Sequence, residues 1–263
     1  MRLFAAAIKR RFKMQTFKIG SSVPPSSFKH RHISPCVGCV SRSTCLHSNL
    51  DLMQLENLTG QYTQKIKVKS GDPIFHNGDS IHSLYTIRAG FMKVEYSLPN
   101  GQHQVTRFAT NGDLIGVDGI ADGKHHLDAI AITDGEVCSI DFNRIQSLMK
   151  TEAALQKSIE CAMSTEINHT QEHLFSLGSH TIEQKIAYFL VDLHNKLGDT
   201  YSQLDSLRLP MSREDLKSYL GMTSESLSRG LTSLEKNQYF QVRNREISGI
   251  DYEKLQRLLE SPN

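Results

Sequence analysis

Between Ile66 and Phe142 glycine interrupts the chain at short, near-regular intervals, at Gly71-Asp72, Gly78-Asp79, Gly90, Gly101, Gly112-Asp113, Gly116 and Gly119. The stretches between alternate apolar and polar residues, as in Tyr85-Thr86-Ile87-Arg88 and Met92-Lys93-Val94-Glu95-Tyr96. Successive side chains of a strand point to opposite faces, so this pattern predicts half-buried strands joined by tight turns. Pro99-Asn100-Gly101 reads as a hairpin turn. Strands this short, this evenly spaced, predict a small antiparallel roll or barrel. A chain of 263 residues can hold such a roll and a second domain.

From about Asn143 the apolar period becomes helical. Met163, Ile167, Thr170, Leu174 and Leu177 are spaced 4, 3, 4, 3, the seam of a helix that pairs with a second copy. An amphipathic helix lying on its own roll is the alternative. Glu160, Glu166, Glu172 and His173 leave little apolar surface beyond one stripe, which favours the dimer seam. Gly178 is expected to end this helix, and another is expected from about Thr181 to Leu197.

Farther on, Ser212 is a plausible N-cap with Asp215 three residues later, and Gly221 is placed to end that helix. Thr223 or Ser224 caps a second helix with Leu227, Leu231 and Leu234 on one face. Two short helices joined by a glycine turn make a helix-turn-helix, and the alternation from Tyr239 to Ile250 around Arg243-Asn244-Arg245 suits a β-hairpin wing. The first residues of the second helix would then meet base edges. Those exposed there are Ser224, Glu225, Ser228 and Arg229. Arg can donate two hydrogen bonds to guanine, and Glu can accept from cytosine. A plain surface ion pair between Glu225 and Arg229 is the competing reading. Lys217, Lys236, Arg243 and Arg245 are candidate phosphate contacts.

The chain has five cysteines, and three lie within ten residues as Cys36-x2-Cys39-x5-Cys45. Cys138 lies far downstream, within the predicted strands. Four thiolates suit an iron–sulfur cluster or a structural zinc ion, and spacing alone separates the two poorly. A metal-free thiol switch with a Cys36–Cys39 disulfide is a further possibility. The odd number and local clustering of the cysteines argue against a secreted disulfide framework and for a reducing cytoplasm. Cys161, next to the seam, is expected to be a small buried filler.

Taken in order, these landmarks resemble the Crp/Fnr superfamily of bacterial transcription regulators. The resemblance runs from about Cys36 to Leu258. It rests on Gly71-Asp72-Pro73-Ile74-Phe75, Gly78-Asp79, Tyr85-Thr86-Ile87-Arg88-Ala89-Gly90 and Gly112-Asp113-Leu114-Ile115-Gly116. The cysteine pattern, completed in Glu136-Val137-Cys138-Ser139-Ile140, and Glu-x-x-Ser-Arg at Glu225, Ser228 and Arg229 match the fumarate-and-nitrate-reduction branch.

The resemblance implies an α+β fold in five parts. These are a flexible N-terminal extension (1–35), a cysteine-rich cluster loop (36–50), and a cyclic-nucleotide-binding-like β-roll of jelly-roll type (51–148). A dimerisation helix (149–178) and a winged helix-turn-helix (179–263) complete it. It also implies an oxygen sensor. One [4Fe–4S] cluster per subunit on Cys36, Cys39, Cys45 and Cys138 would promote dimerisation. The dimer would bind a TTGAT-N4-ATCAA-like palindrome under anaerobiosis and control anaerobic-respiration genes. RNA polymerase is an implied partner, for which the hairpin tip from Leu98 to Gln102 is a candidate contact. The branch carries an acidic residue in its dimer helix where this chain has Thr170, so its oxygen-off state need not be a monomer.

Other classes fit less well. The stretch from Gly116 to Ile132 has neither Glu nor Arg with which to hold a cyclic phosphate, so no cyclic nucleotide is expected. His82, His103, His125 and His126 are read as surface residues rather than haem ligands. No glycine-rich phosphate loop, nucleophile elbow or paired His/Glu motif supports an enzyme. No apolar run is long enough to span a bilayer. A net charge of +2 neither demands nor excludes nucleic acid.

Overall fold

A computed structural model describes Cys36, Cys39, Cys45, Leu46, Asp51 and residues 63–198 and 206–262. The extension 1–35 and a short helix expected from Asp51 to Tyr62 lie outside the described residues, Asp51 apart. Eight strands form the first unit: β1 (Thr63–Val68), β2 (Pro73–Phe75), β3 (Ser83–Ala89), β4 (Met92–Ser97), β5 (His103–Ala109), β6 (Leu114–Ile115), β7 (Asp128–Ala131) and β8 (Gly135–Asp141). They make two four-stranded antiparallel sheets, ordered β1-β8-β3-β6 and β2-β7-β4-β5. The alternation read from the sequence decides which side chains fill the space between them: Phe75, Ile87, Met92, Ala129 and Val137 point inward.

The opposite phase of β3 and β8 puts Leu84, Thr86, Cys138 and Ile140 on the outer face of the first sheet. Helix α1 (Phe142–Met149), capped by Asp141, and the first turns of α2 (Ala153–Ser179) cover that face through Ile145, Leu148, Leu155 and Ile159. Cys36 and Leu46 belong to the same apolar cluster.

Helix α2 runs through Gly178 to Ser179. Gly178 therefore does not end it, contrary to the sequence expectation. The stop is set one step later, where His180 turns extended and Thr181 opens the next helix with a capping box to Gln184. That helix, α3 (Ile182–Leu197), leads to β9 (Ser206–Arg208), α4 (Arg213–Leu220), α5 (Ser224–Lys236), β10 (Gln241–Arg243), β11 (Glu246–Ser248) and α6 (Tyr252–Glu260). The wing is a three-stranded sheet, β10-β11-β9.

Helix α2 uses two faces at once. Leu155, Ile159, His169, His173 and Ser176 are buried against the protein's own roll and helices. Met163, Ile167 and Leu174 stay exposed, Leu174 at 67%, with Thr170 exposed and Leu177 half-buried beside them. The face packed on the protein's own roll and helices matches the alternative sequence reading, and the expected seam residues lie on the other, more exposed face. Its self-packing face is histidine-rich, so an apolar stripe alone did not reveal it.

Candidate metal centre and nucleic-acid interface

Cys138 sits on β8 opposite Lys65 of β1 and Thr86 of β3. Cys36, Cys45 and Cys138 are buried and Cys39 is half-buried. The Cys39 N–H donates to the Cys36 carbonyl at 3.3 Å, closing the turn of the Cys-x2-Cys pair. Burial pushes the Cys138 thiol up to about 11, and the negative charge of Cys36, Cys39 and Glu136 pushes the same way, with Lys65 opposing. Cys36 packs in the apolar cluster of Leu84 and Ile140, which share the outer face of the roll with Cys138. Arg88 joins them, hydrogen-bonded to Cys39 and paired with Glu136 at 2.6 Å.

Among the described residues no disulfide forms, and no three His, Cys, Asp or Glu side chains stand in a metal-binding arrangement. In donor chemistry the residues still fit a thiolate-bound metal. Buried thiols repel one another as anions, so a cation among them would relieve the cost, and a buried hydroxyl, Thr86 Oγ1, lacks a partner beside Cys138.

Two expectations fail here. Cys161 is exposed on α2 rather than a buried filler, because the inward stripe passes through Ser158, Ile159 and Ala162 instead. His125 is 2% exposed rather than a surface residue. Its ring stacks on Phe75 at 3.8 Å and its Nδ1 lies 3.2 Å from Asp118. Burial alone would raise the Asp118 carboxyl, but His125 and the N–H groups of His126 and Leu127 hold it below its usual range. His82, His103 and His126 are exposed.

In the C-terminal unit Ser212 caps α4 in a capping box with Asp215, and Gly221 closes it in the left-handed region at φ 59°, which favours glycine. Thr223 caps α5 by accepting from the Ser226 N–H at 3.1 Å. Leu227, Leu231 and Leu234 are buried, so Ser224, Glu225, Ser228 and Arg229 face solvent. Gly230 lets α5 approach α3 closely: a Cβ there would come within 2.5 Å of Ile182. Glu225 and Arg229 lie 3.7 Å apart. Arg243, Arg245 and Lys236 are exposed on the wing and helix end, whereas Lys217 is half-buried and paired with Glu214 at 2.8 Å.

The sequence reading missed the junction that holds this unit to the roll. β5 is the edge strand of its sheet, and its Val105 N–H donates to Ser218 Oγ of α4 at 2.9 Å, while Gln104 Nε2 donates to the Ser218 carbonyl. Lys93 bridges Glu95 and Asp215 at 2.8 and 3.0 Å. Arg107 pairs with Asp113 at 2.8 Å and with Glu166 of α2. Beside it, Asp192 lies 2.9 Å from Lys196 and 3.2 Å from His169. Burial would raise the Asp192 carboxyl, but the charge of Lys196 and the hydrogen bond to His169 hold it far below its usual range. The signal was present: Arg107 lies two residues from Ala109 on β5 and opposite Val94, where an apolar residue would be expected.

The family described as "Cyclic nucleotide-binding domain" matches residues 65–152, and "Crp-like helix-turn-helix domain" matches residues 184–258. Electron transport regulator A of Shewanella oneidensis is 33% identical over 85% of this chain and 89% of its own length. The chain belongs to the Crp/Fnr family. The fumarate and nitrate reduction regulatory proteins of Vibrio cholerae and Escherichia coli are each 30% identical to this Crp/Fnr regulator, over 85% of its length and 89% of theirs. In fold it resembles FixK2 from Bradyrhizobium japonicum, with a TM-score of 0.68 and 23% identity over 74% of this chain and 96% of that one. Crp/Fnr proteins regulate transcription and are not enzymes, so the exposed helix α5 belongs to a DNA-binding domain. Among the described residues no helix is long and apolar enough to cross a membrane.

Proposed function

We propose that this protein is an oxygen-responsive regulator of anaerobic transcription, with a metal-bound cysteine site as input and helix α5 as output. Cys36, Cys39, Cys45 and Cys138 would hold one [4Fe–4S] cluster per subunit. When bound, the cluster supplies an oxygen-labile cross-link between the cysteine loop and the roll. The one observation that carries the reading is the shared apolar cluster of Cys36 and Leu46 with Leu155 and Ile159 of α2. Ordering the loop there would brace the helix one turn from Met163, the first residue of the dimer seam.

Holding Cys45 and Cys138 together closes a loop of roughly ninety residues, so metal-binding free energy becomes ordering free energy. Met163, Ile167, Thr170, Leu174 and Leu177 would pair two copies, and the dimer would present two recognition helices to a TTGAT-N4-ATCAA-like palindrome. Ser224, Glu225, Ser228 and Arg229 would meet bases, and Lys217 and Arg243 phosphates. RNA polymerase and a cytoplasmic setting follow from the same reading. Relatives named as anaerobic and fumarate-and-nitrate regulators support it. The division into residues 1–35, 36–50, 51–148, 149–178 and 179–263 is proposed with it. No cyclic nucleotide is invoked, since the stretch from Gly116 to Ile132 has neither Glu nor Arg with which to hold its phosphate.

Anaerobic purification followed by iron and acid-labile sulfide analysis tests the site. Wild-type protein should carry both and lose both in air, and Cys138→Ser should carry neither and lose specific DNA binding. Zinc without sulfide would replace the cluster with a structural metal. Unchanged iron and DNA binding in Cys138→Ser would remove that residue from the ligand set.

A further inference from the structure

Thr86 lies in the middle of β3, hydrogen-bonded between β8 and β6, and its register partner on β8 is Cys138. Its side chain shares the outer face with Cys138 and is 4% exposed. Its hydroxyl has no hydrogen-bond partner among the described residues. Burying a hydroxyl without a partner is costly, and native proteins rarely keep one without a reason. Valine has nearly the same shape and would fill the place without that cost. Directly opposed residues of an antiparallel pair hold their Cβ atoms roughly 4.5–5.5 Å apart, within reach of a hydroxyl-to-sulfur contact.

A neutral thiol is a poor acceptor. A metal-bound thiolate is an anion and a much better one. The cationic neighbour Arg88 is already engaged with Glu136 and Cys39, and Lys65 opposite Cys138 on β1 is exposed.

We infer that the Thr86 hydroxyl is a positioning donor for the Cys138 sulfur, satisfied only when that sulfur is a metal ligand, and that it slows release of the metal. The inference rests on Cys138 being a ligand. Partners of this kind around metal-bound sulfur commonly tune how firmly a site is held.

The test compares wild type, Thr86→Val, Thr86→Ala and Thr86→Ser, all purified anaerobically. It measures the rate at which an iron chelator strips the metal without oxygen, the iron–sulfur stretching bands, and the melting temperature of each metal-free protein. Loss of the hydroxyl in Thr86→Val should speed iron release roughly two- to tenfold and shift a stretching band. The metal-free variant should melt at or above the wild-type temperature, because an orphaned hydroxyl is gone. Thr86→Ser should restore slow release, and Thr86→Ala should release fast even if Thr86→Val folds poorly. Wild-type release rates and bands in both hydroxyl-free variants would overturn the role of Thr86 while leaving the metal site standing. Wild-type protein without metal would overturn both.

Discussion

The roll meets the rest of the molecule at two places built on opposite principles. On its outer face, thiols and a lone hydroxyl sit among aliphatic side chains, with Arg88–Glu136 as the nearby ion pair. At its β5 edge, charges are matched among themselves: Arg107 with Asp113 and Glu166, Lys93 with Glu95 and Asp215, Asp192 with Lys196. Among the described residues the first surface leaves a buried hydroxyl without a partner, and the second sets opposite charges against one another, although Arg107 Nε and Glu95 Oε2 make no hydrogen bond there. A ligand can complete the first, whereas the second ties the C-terminal unit to the roll through charge pairs that reach from β4 and β5 to α2 and α4. Removing a side chain from the two regions should therefore have opposite signatures, one seen in ligand binding and the other in stability.

The largest effect is expected at the edge. Arg107→Ala strands the Asp113 and Glu166 carboxylates against a buried patch and should cost roughly 3–5 kcal/mol in denaturant unfolding. Cys138→Ser in metal-free protein should change stability by less than about 1 kcal/mol while abolishing iron. A large loss of stability in metal-free Cys138→Ser would erase the contrast between the two regions.

Acid should separate them next. His173 is buried against Tyr219, ring to ring at 4.0 Å, with Tyr188 farther off and His169, Asp192 and Lys196 nearby. Burial lowers its pKa from 6.5 to about 4, helped by the charge of His169 and Lys196 and opposed by Asp192. The unfolded chain takes up that proton first, so stability present above pH 6.5 is lost as pH falls toward 4. The expected loss is about 3 kcal/mol across this window, read from melting temperature against pH. His173→Phe should flatten that limb, and an unchanged slope would place the acid sensitivity elsewhere.

Smaller still is the expected effect at α5. Arg229→Ala should relax discrimination at one guanine by about 1–3 kcal/mol per half-site. An equal loss on all sequences would make Arg229 a phosphate contact instead. DNA affinity should also fall steeply with added salt, and a flat salt dependence would count against Arg243 and Lys217 as phosphate contacts.

The roll and the helix-turn-helix were legible because each rests on local rules. Alternation about glycine turns sets the strands, and Ser212, Gly221 and Thr223 mark helix ends wherever they stand. The junction was not legible, because it joins residues far apart in the chain, such as Arg107 with Glu166 and Gln104 with Ser218. His173 and His125 misled for the same reason: both are polar by type, and only a neighbouring aromatic ring supplied by another element makes their burial tolerable. β9 escaped notice because three residues, Ser206–Arg208, carry too short an alternation. Of the candidate metal centre, the spacing of Cys36, Cys39 and Cys45 suggested ligands, but only strand register could pair Cys138 with Thr86.

The central claim is that the cysteine site governs α5 through α2. It is tested most directly by titrating a TTGAT-N4-ATCAA duplex with one anaerobic preparation before and after exposure to air, with iron and dimer fraction measured on the same samples. Affinity for the palindrome should fall in step with loss of iron and of dimer. Unchanged affinity after the iron is gone would contradict it.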